Sequence, residues 1–186
     1  SKNKKNILIL TTIIFGESRK NVLSQRRFFM EEIIKAIPRN EFEVTVKIHP
    51  THEDLKDYTN IVGPINSSVN VTQNASLVEL ILNADIIITP VTGTSAICSL
   101  IARKPIIIWN VFNVGNDVLI QNELALPCKD KKMILEQIRK AETWIPSEEK
   151  IEQFVREYLH ASDGKASART ATEILNYLKK RSPHIF

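Results

Sequence analysis

The stretch Asp85–Trp109, DIIITPVTGTSAICSLIARKPIIIW, contains two short apolar runs separated by a segment that resembles a helix. The two runs, Asp85–Thr89 and Pro105–Trp109, are rich in isoleucine and have the length of strands. The segment between them predicts a helix over Ser95–Ala102. Strands that alternate with helices in this way predict right-handed β–α–β units and a parallel sheet.

The rest of the chain continues this alternation on both sides of the opening stretch. We predict further strands at Asn6–Ile14, Glu43–Ile48, Asn70–Gln73 and Glu123–Leu126. Further helices are predicted at Leu23–Ile37, Lys131–Ala141, Ser147–His160 and Ala166–Lys180. A capping box at Ser76 and Glu79 predicts one more helix, which ends near Asn83. The fold class is therefore α/β: a single Rossmann-like domain over residues 1–186, with an open, mostly parallel sheet of about six strands, flanking helices and C-terminal helices.

Composition and charge exclude several classes of function. The net charge of +4 suits anionic ligands, but the basic residues are scattered without an aromatic-rich stripe, which disfavours nucleic acid as a partner. No apolar run approaches the roughly 20 residues of a transmembrane segment. Cys98 and Cys128 lack metal-ligand spacing, so we expect no metal site and a reduced, cytoplasmic protein, compatible with a peripheral position at the inner face of the membrane.

The turn formed by Thr92, Gly93, Thr94 and Ser95 has the strongest rationale for binding a ligand. It follows a strand and opens a helix, whose N-terminal amides and partial positive charge favour anions. A glycine allows close approach of a ligand, and the hydroxyls of Thr94 and Ser95 add donors. One of these hydroxyls can instead cap the helix, and both roles can hold together.

Two other strand ends carry candidate residues. His49 and Pro50 follow the second strand, where the imidazole can stabilise charge on a phosphate or serve a structural role. Gly16 follows the first strand and is a candidate ligand contact, although the complete G-x-G-x-x-G fingerprint is absent. Trp109 ends the fifth strand and can stack on a base or pack against the last helices. Because strand ends of a parallel sheet meet at one edge, we expect the His49–Pro50 and Thr94–Ser95 pairs to be neighbours in space.

Four segments together resemble the C-terminal, donor-binding half of a GT-B glycosyltransferase. They are KIHP (Lys47–Pro50), TGTS (Thr92–Ser95), ARKPIII (Ala102–Ile108) and DGKASARTATEI (Asp163–Ile174). The resemblance is to the CDP-glycerol glycerophosphotransferase, capsule-polysaccharide and bacterial sialyl- or Kdo-transferase types. In those families, a His-Pro motif and a Ser/Thr pair hold the phosphate and nucleotide of the donor.

The resemblance implies a function in surface polysaccharide biosynthesis. The donor would be a CMP-, CDP- or UDP-linked sugar or polyol, bound without a further cofactor, and His49 would be the catalytic residue. An N-terminal acceptor domain of the same polypeptide would complete the enzyme, so the isolated chain would be inactive. A UDP-GlcNAc 2-epimerase-like domain is an alternative, although Cys98 stands near the place where that family often has a glutamate. A non-catalytic anion-binding or interaction module is a third interpretation.

Overall fold

The computed structural model describes residues 4–11, 19–51, 53–109 and 116–181. Strands and helices alternate along the chain, as the sequence predicts. The strands are β1 (Lys5–Leu10), β2 (Phe42–Lys47), β3 (Asn70–Thr72), β4 (Ile86–Thr89), β5 (Ile106–Trp109) and β6 (Leu126–Cys128). The helices are α1 (Arg19–Ala36), α2 (Leu55–Val62), α3 (Leu77–Asn83), α4 (Thr94–Ile101), α5 (Val118–Gln121), α6 (Ile134–Ala141), α7 (Glu148–Phe154) and α8 (Ala166–Arg181).

The six strands form one open sheet in the order β3-β2-β1-β4-β5-β6, and every neighbouring pair is parallel. This confirms the predicted fold class. The register places Ile9 of β1 beside Val46 of β2 and Ile88 of β4, so these three strands end at a similar level. The order reverses between β1 and β4, which is the point where doubly wound sheets bind ligands.

The sheet is buried on both faces, as the unbroken apolar runs predict. Ile7 and Ile9 of β1 join a core cluster with Met30 and Ile33 of α1, and all four are at most 1% exposed. Leu8, which points to the opposite face, is 2% exposed. Helices therefore cover both sides, which leaves the strand ends as the accessible part of the sheet.

Helices α2 and α5 were not predicted from the sequence, and strand β6 differs from its prediction. The structure contains α2, which the sequence analysis missed; Asp54 caps it by accepting from the amide of Lys56. The sixth strand lies at Leu126–Cys128 rather than Glu123–Leu126, because Glu123 adopts a positive φ of 56° in the turn after α5. Pro127 is tolerated in β6 because β6 is an edge strand.

The chain divides into two compact units, Ser1–Ser147 and Glu148–Phe186. In the second unit, α7 continues as a π-helical turn over Val155–Leu159, which shifts the phase of the helix. Tyr158 in this turn is 53% exposed and stacks on Phe154. Helix α8 has no buried residue along its length, and its apolar side chains include Ile174, Leu175 and Leu178.

Candidate functional site

The predicted site residues that the structure describes lie where the strands end, at the carboxyl-terminal edge of the sheet. His49 and Pro50 follow β2, and Thr92, Gly93, Thr94 and Ser95 follow β4. These two strands flank β1, and a strand spacing of about 4.8 Å separates them by roughly 10 Å. The two turns therefore share one edge, with the end of β1 between them. Gly16 lies outside the described residues.

Helix α4 begins at the candidate turn without a side-chain cap. Its N-cap residue is Gly93, and among the described residues no side chain accepts a hydrogen bond from the first amides of the helix. The alternative in which Thr94 or Ser95 caps the helix is therefore wrong. Thr94 is exposed and Ser95 is half-buried, while the Ser95 carbonyl accepts a hydrogen bond of 2.8 Å from the Ser99 hydroxyl. The amides at this end of α4 thus have no side-chain acceptor among the described residues, and such helix amides favour anions.

Neither conformation nor packing in the described residues requires glycine at position 93. Its φ of −137° and ψ of −177° are in the extended region, which other residues adopt readily. A Cβ atom built at Gly93 would meet no described atom within 4 Å. With no side chain at this position, a ligand can approach the backbone at the start of α4 closely.

The carboxylate of Asp117 holds the beginning of this turn. Oδ2 accepts from the amide of Thr92 at 2.7 Å, and Oδ1 accepts from the Thr92 hydroxyl at 2.6 Å. Asp117 also caps α5, because Oδ1 accepts from the amides of Leu119 and Ile120 at 3.0 and 3.4 Å. The carboxylate is buried, and it connects the turn after β4 to the start of α5.

The turn after β2 holds the imidazole of His49 through Thr51. The amide and the hydroxyl of Thr51 both lie 3.3 Å from Nδ1 of His49. An amide can only donate, so Nδ1 accepts, and the proton of a neutral imidazole is placed on Nε2. This tautomer suits His49 to donate a hydrogen bond through Nε2 to a phosphate oxygen, rather than to act as a base there.

A buried carboxylate also supports this second turn. Glu53, 6% exposed, accepts from the amide of His49 at 2.6 Å, from the hydroxyl of Tyr58 and from the hydroxyl of Thr11. Thr11 follows β1 directly and Tyr58 lies in α2. Glu53 therefore ties the ends of β1 and β2 to the first helix after the turn.

Lys47 and Gln73 complete this network. The ammonium of Lys47 donates to the carbonyls of Ile48 and Gln73 at 2.9 and 2.8 Å. Burial lowers the pKa of Lys47 from its usual 10.5, and the nearby negative charge of Glu53 opposes part of that shift. The side-chain amide of Gln73 donates to three carbonyls, those of His49, Pro50 and Glu53. The backbone of the His49 turn is thus fixed by Lys47 of β2, by Gln73 directly after β3 and by side chains of the turn itself.

Sequence reasoning missed the two carboxylates, Glu53 and Asp117. The position of Asp117 directly before the VLI segment is a capping pattern that could have identified its contact with α5. Its bonds to Thr92, and those of Glu53 to Thr11, join residues 25 and 42 positions apart, which no local pattern reveals. Trp109 is fully buried and its ring packs against Phe29 of α1 at 5.2 Å, so it belongs to the core.

The described residues lack two further kinds of site, and they enclose a cavity away from the strand ends. They contain no group of three or more His, Cys, Asp and Glu side chains placed to hold a metal ion. No helix in the described part of the chain has both the length and the apolar character to cross a bilayer. A cavity of about 160 Å³ lies beside the amino-terminal half of β1, lined by Asn6, Thr45 and Asn83 among others, away from the candidate site.

Comparison with known proteins identifies the fold but no sequence family. No family model matches the chain, and no curated protein matches it by sequence. Solved structures do match. The crystal structure of CalG4, the calicheamicin glycosyltransferase, aligns over 97% of this chain and 45% of its own, with a TM-score of 0.64 and 18% identity.

Two other matches have different functions from CalG4. A putative UDP-N-acetylglucosamine 2-epimerase from Listeria monocytogenes aligns over 96% of this chain and 46% of its own, with a TM-score of 0.57 and 12% identity. The wall teichoic acid polymerase TagF, soaked with CDPG, aligns over 97% of this chain and 43% of its own, with a TM-score of 0.56 and 15% identity. The chain spans less than half the length of these proteins, and it has the fold of one part of a GT-B glycosyltransferase.

Proposed function

We propose that the chain is the donor-binding domain of a glycosyltransferase-like enzyme of surface polysaccharide biosynthesis. The donor would be a sugar or polyol linked to CMP, CDP or UDP. The observation that carries this proposal is the uncapped N-terminus of α4 behind Gly93, placed where the strand order reverses between β1 and β4. Ligands of open α/β sheets bind at this point, and helix amides there favour phosphate.

The proposed chemistry is a displacement at the donor carbon or phosphorus. An acceptor hydroxyl forms a new bond to that atom, and the bond from it to the nucleotide phosphate oxygen breaks. Negative charge then accumulates on the departing phosphate. The amides of Thr94 and Ser95 and the Nε2 proton of His49 would stabilise this charge, which is the form of catalysis that aligned donors provide.

The acceptor side of the reaction lies outside this proposal for the chain. A base must remove the proton of the acceptor hydroxyl, and an N-terminal acceptor domain of the same polypeptide would supply it. The proposed location is the cytoplasm, at the inner face of the membrane. Two free cysteines, Cys98 and Cys128, agree with a reducing compartment.

Nucleotide binding to wild-type and His49 variants tests the proposal. CMP, CDP and UDP are titrated while the thermal midpoint is followed, because a ligand that binds the folded state raises it. We expect His49→Ala to weaken binding about tenfold, the effect of losing one hydrogen bond to a charged group. Gln and Asn are the matched replacements: the amide nitrogen of Gln lies near the position of Nε2, and that of Asn lies near Nδ1.

The variants separate the proposed role from a structural one. His49→Gln should retain most of the affinity, whereas His49→Asn should behave like His49→Ala. If no nucleotide changes the midpoint at millimolar concentration, the donor-binding proposal is wrong. Equal affinity in all four proteins would remove His49 from the site and favour a non-catalytic anion-binding module.

An epimerase-like domain is the second candidate, because the Listeria epimerase matches the chain about as well as TagF does, with TM-scores of 0.57 and 0.56. The preferred nucleotide distinguishes the epimerase-like function from the transferase function. Binding of UDP-GlcNAc in clear preference to CDP and CMP would favour the epimerase-like function. Preference for a cytidine nucleotide would favour the transferase.

A further inference from the structure

We propose that Asp117 and Thr92 form an anchor that positions the anion-binding turn, and that Thr92 itself does not contact the phosphate. The anchor is defined as the carboxylate of Asp117 with the amide and hydroxyl of Thr92. Asp117 is then a positioning residue for the site. This inference rests on the proposed function and assigns different roles to residues within the same turn.

The hydrogen-bond partners of Thr92 support this inference. A phosphate at neutral pH offers acceptors, so its protein partners must be donors. Thr92 has two donors, its amide and its hydroxyl, and both bond to Asp117 at 2.7 and 2.6 Å. These are short bonds to a charged acceptor, which makes them stronger than neutral ones. Thr92 therefore has no donor left for a phosphate while the anchor is intact.

The donors that remain available to a ligand are those of the residues after Gly93. Helix α4 starts at Thr94, and its first amides have no side-chain cap among the described residues. Thr94 is exposed and Ser95 is half-buried, so both remain near the surface at the strand edge. The anchor fixes the residue before Gly93, and the donors that follow Gly93 are those presented to a phosphate.

Both oxygens of the Asp117 carboxylate are engaged in hydrogen bonds. Its two oxygens accept from two groups of Thr92 and from the amides of Leu119 and Ile120. Asparagine cannot replace this arrangement, although its shape is the same. Its amide nitrogen would face a backbone donor at either position, which breaks the bond to the Thr92 amide at the Oδ2 position or the bonds to the α5 amides at the Oδ1 position.

The test compares CDP and UDP affinity in wild type, Asp117→Asn, Thr92→Val, Thr92→Ser and the Asp117→Asn/Thr92→Val double variant. Thr92→Val removes only the hydroxyl donor and leaves the α5 cap, so it tests the anchor even if Asp117→Asn lowers stability. Asp85→Asn is the matched control. The carboxylate of Asp85 also accepts from a backbone amide, that of Asn6, at 2.7 Å. This bond lies where β1 and β4 begin, at the end of the sheet opposite the candidate site.

We expect Asp117→Asn and Thr92→Val each to weaken binding about tenfold, and the double variant to be no weaker than the worse single variant, because both break one anchor. Thr92→Ser and Asp85→Asn should bind like wild type. If Thr92→Val weakens binding while Asp117→Asn does not, or if the two losses add, Thr92 contacts the ligand directly and the inference is wrong.

Amide hydrogen exchange without ligand provides an independent measurement. Asp117→Asn should speed exchange of the amides of residues 92 to 96 relative to wild type, and Asp85→Asn should not. If wild type binds none of CMP, CDP and UDP, the proposed function fails, and this exchange result alone decides whether Asp117 positions the turn. Unchanged exchange in Asp117→Asn would overturn the anchor.

Discussion

The turns after β2 and β4 both depend on a buried carboxylate, but they present different chemistry. At the β2 turn, Glu53 lies only four residues beyond His49 and joins the turn to the core through Tyr58. At the β4 turn, Asp117 comes from 25 residues further along the chain and bonds to Thr92. The first turn presents a side chain, the imidazole of His49. The second presents the backbone amides that begin α4.

This difference predicts which measurement each turn will affect. The β2 turn contains several buried polar groups that depend on one another, so damage there should appear mainly as lost stability. At Gly93 of the β4 turn an added Cβ atom would meet no described atom within 4 Å, so changes there should appear mainly in ligand affinity. A pair of substitutions, one in each turn, can therefore test the comparison.

The largest expected effect is that of Glu53→Gln on the free energy of unfolding. The buried carboxylate accepts from the His49 amide and from the hydroxyls of Thr11 and Tyr58. Gln has one acceptor oxygen, and its amide nitrogen would face a donor. We expect a loss of about 2–4 kcal/mol in urea denaturation, because buried donors are left unsatisfied.

Glu43→Gln is the control for this substitution. Glu43 lies in β2 and is exposed, so its replacement should change the unfolding free energy by no more than about 0.5 kcal/mol. A Glu53→Gln loss as small as that of the control would show that the network at the β2 turn does not support the fold. The proposed contrast between the two turns would then be lost.

The next effect separates binding from stability at the β4 turn. Gly93→Ala adds a methyl group that meets no described atom within 4 Å, at a φ that alanine adopts readily. We expect stability to stay the same or to rise by up to about 1 kcal/mol, because alanine restricts the unfolded chain. CDP or UDP affinity should fall about tenfold, because the methyl group occupies the space in front of the α4 amides.

Gly63→Ala is the control for this substitution. A Cβ atom at Gly63 would lie 3.0 Å from the carbonyl oxygen of Thr59, a tight contact at the end of α2. Because this contact lies away from the β4 turn, nucleotide affinity should stay near that of wild type. If Gly93→Ala binds nucleotides as wild type does, the ligand does not approach the backbone at this turn.

The sequence predicted the sheet because its signal is local. Runs such as Ile86–Ile88 and Ile106–Trp109 are apolar throughout, which is the pattern of a strand buried on both faces. The strand order was not predictable in this way, since it depends on which runs pair. Helix α2 was missed because only Tyr58 and Val62 are buried in it, although their spacing and the cap at Asp54 were available signals.

The candidate site was only partly predictable, for a related reason. Strand-end position was enough to select His49 and the Thr92–Ser95 turn, because β–α–β connectivity brings strand ends to one edge. The supporting residues follow no such rule. Lys47 and Glu53 are charged residues that become buried only because of partners elsewhere in the fold. Charged residues are usually exposed, so composition and periodicity favour the wrong environment for them.

The smallest expected effect is a pH dependence that belongs to the β2 turn. Burial lowers the pKa of Lys47 below its usual 10.5 in the folded chain. As the pH rises through this lowered pKa, the folded state loses the proton while the unfolded state keeps it until about pH 10.5. The unfolded state then binds more protons, so the contribution of Lys47 to stability increases with pH in this window.

Lys47→Met removes this contribution together with the bonds to the carbonyls of Ile48 and Gln73. The measurement is the difference in unfolding free energy between wild type and Lys47→Met, followed from neutral pH to above pH 10. Burial raises the pKa of Cys128 from 9.0 to about 11, so the thiol ionises first in the unfolded chain and stability falls with pH. This opposite trend is the same in both proteins, and the subtraction cancels it. The difference should shift in favour of wild type as pH rises. A difference independent of pH would mean that Lys47 is solvated in the folded chain, and the β2 turn would then lack the buried network that distinguishes it from the β4 turn.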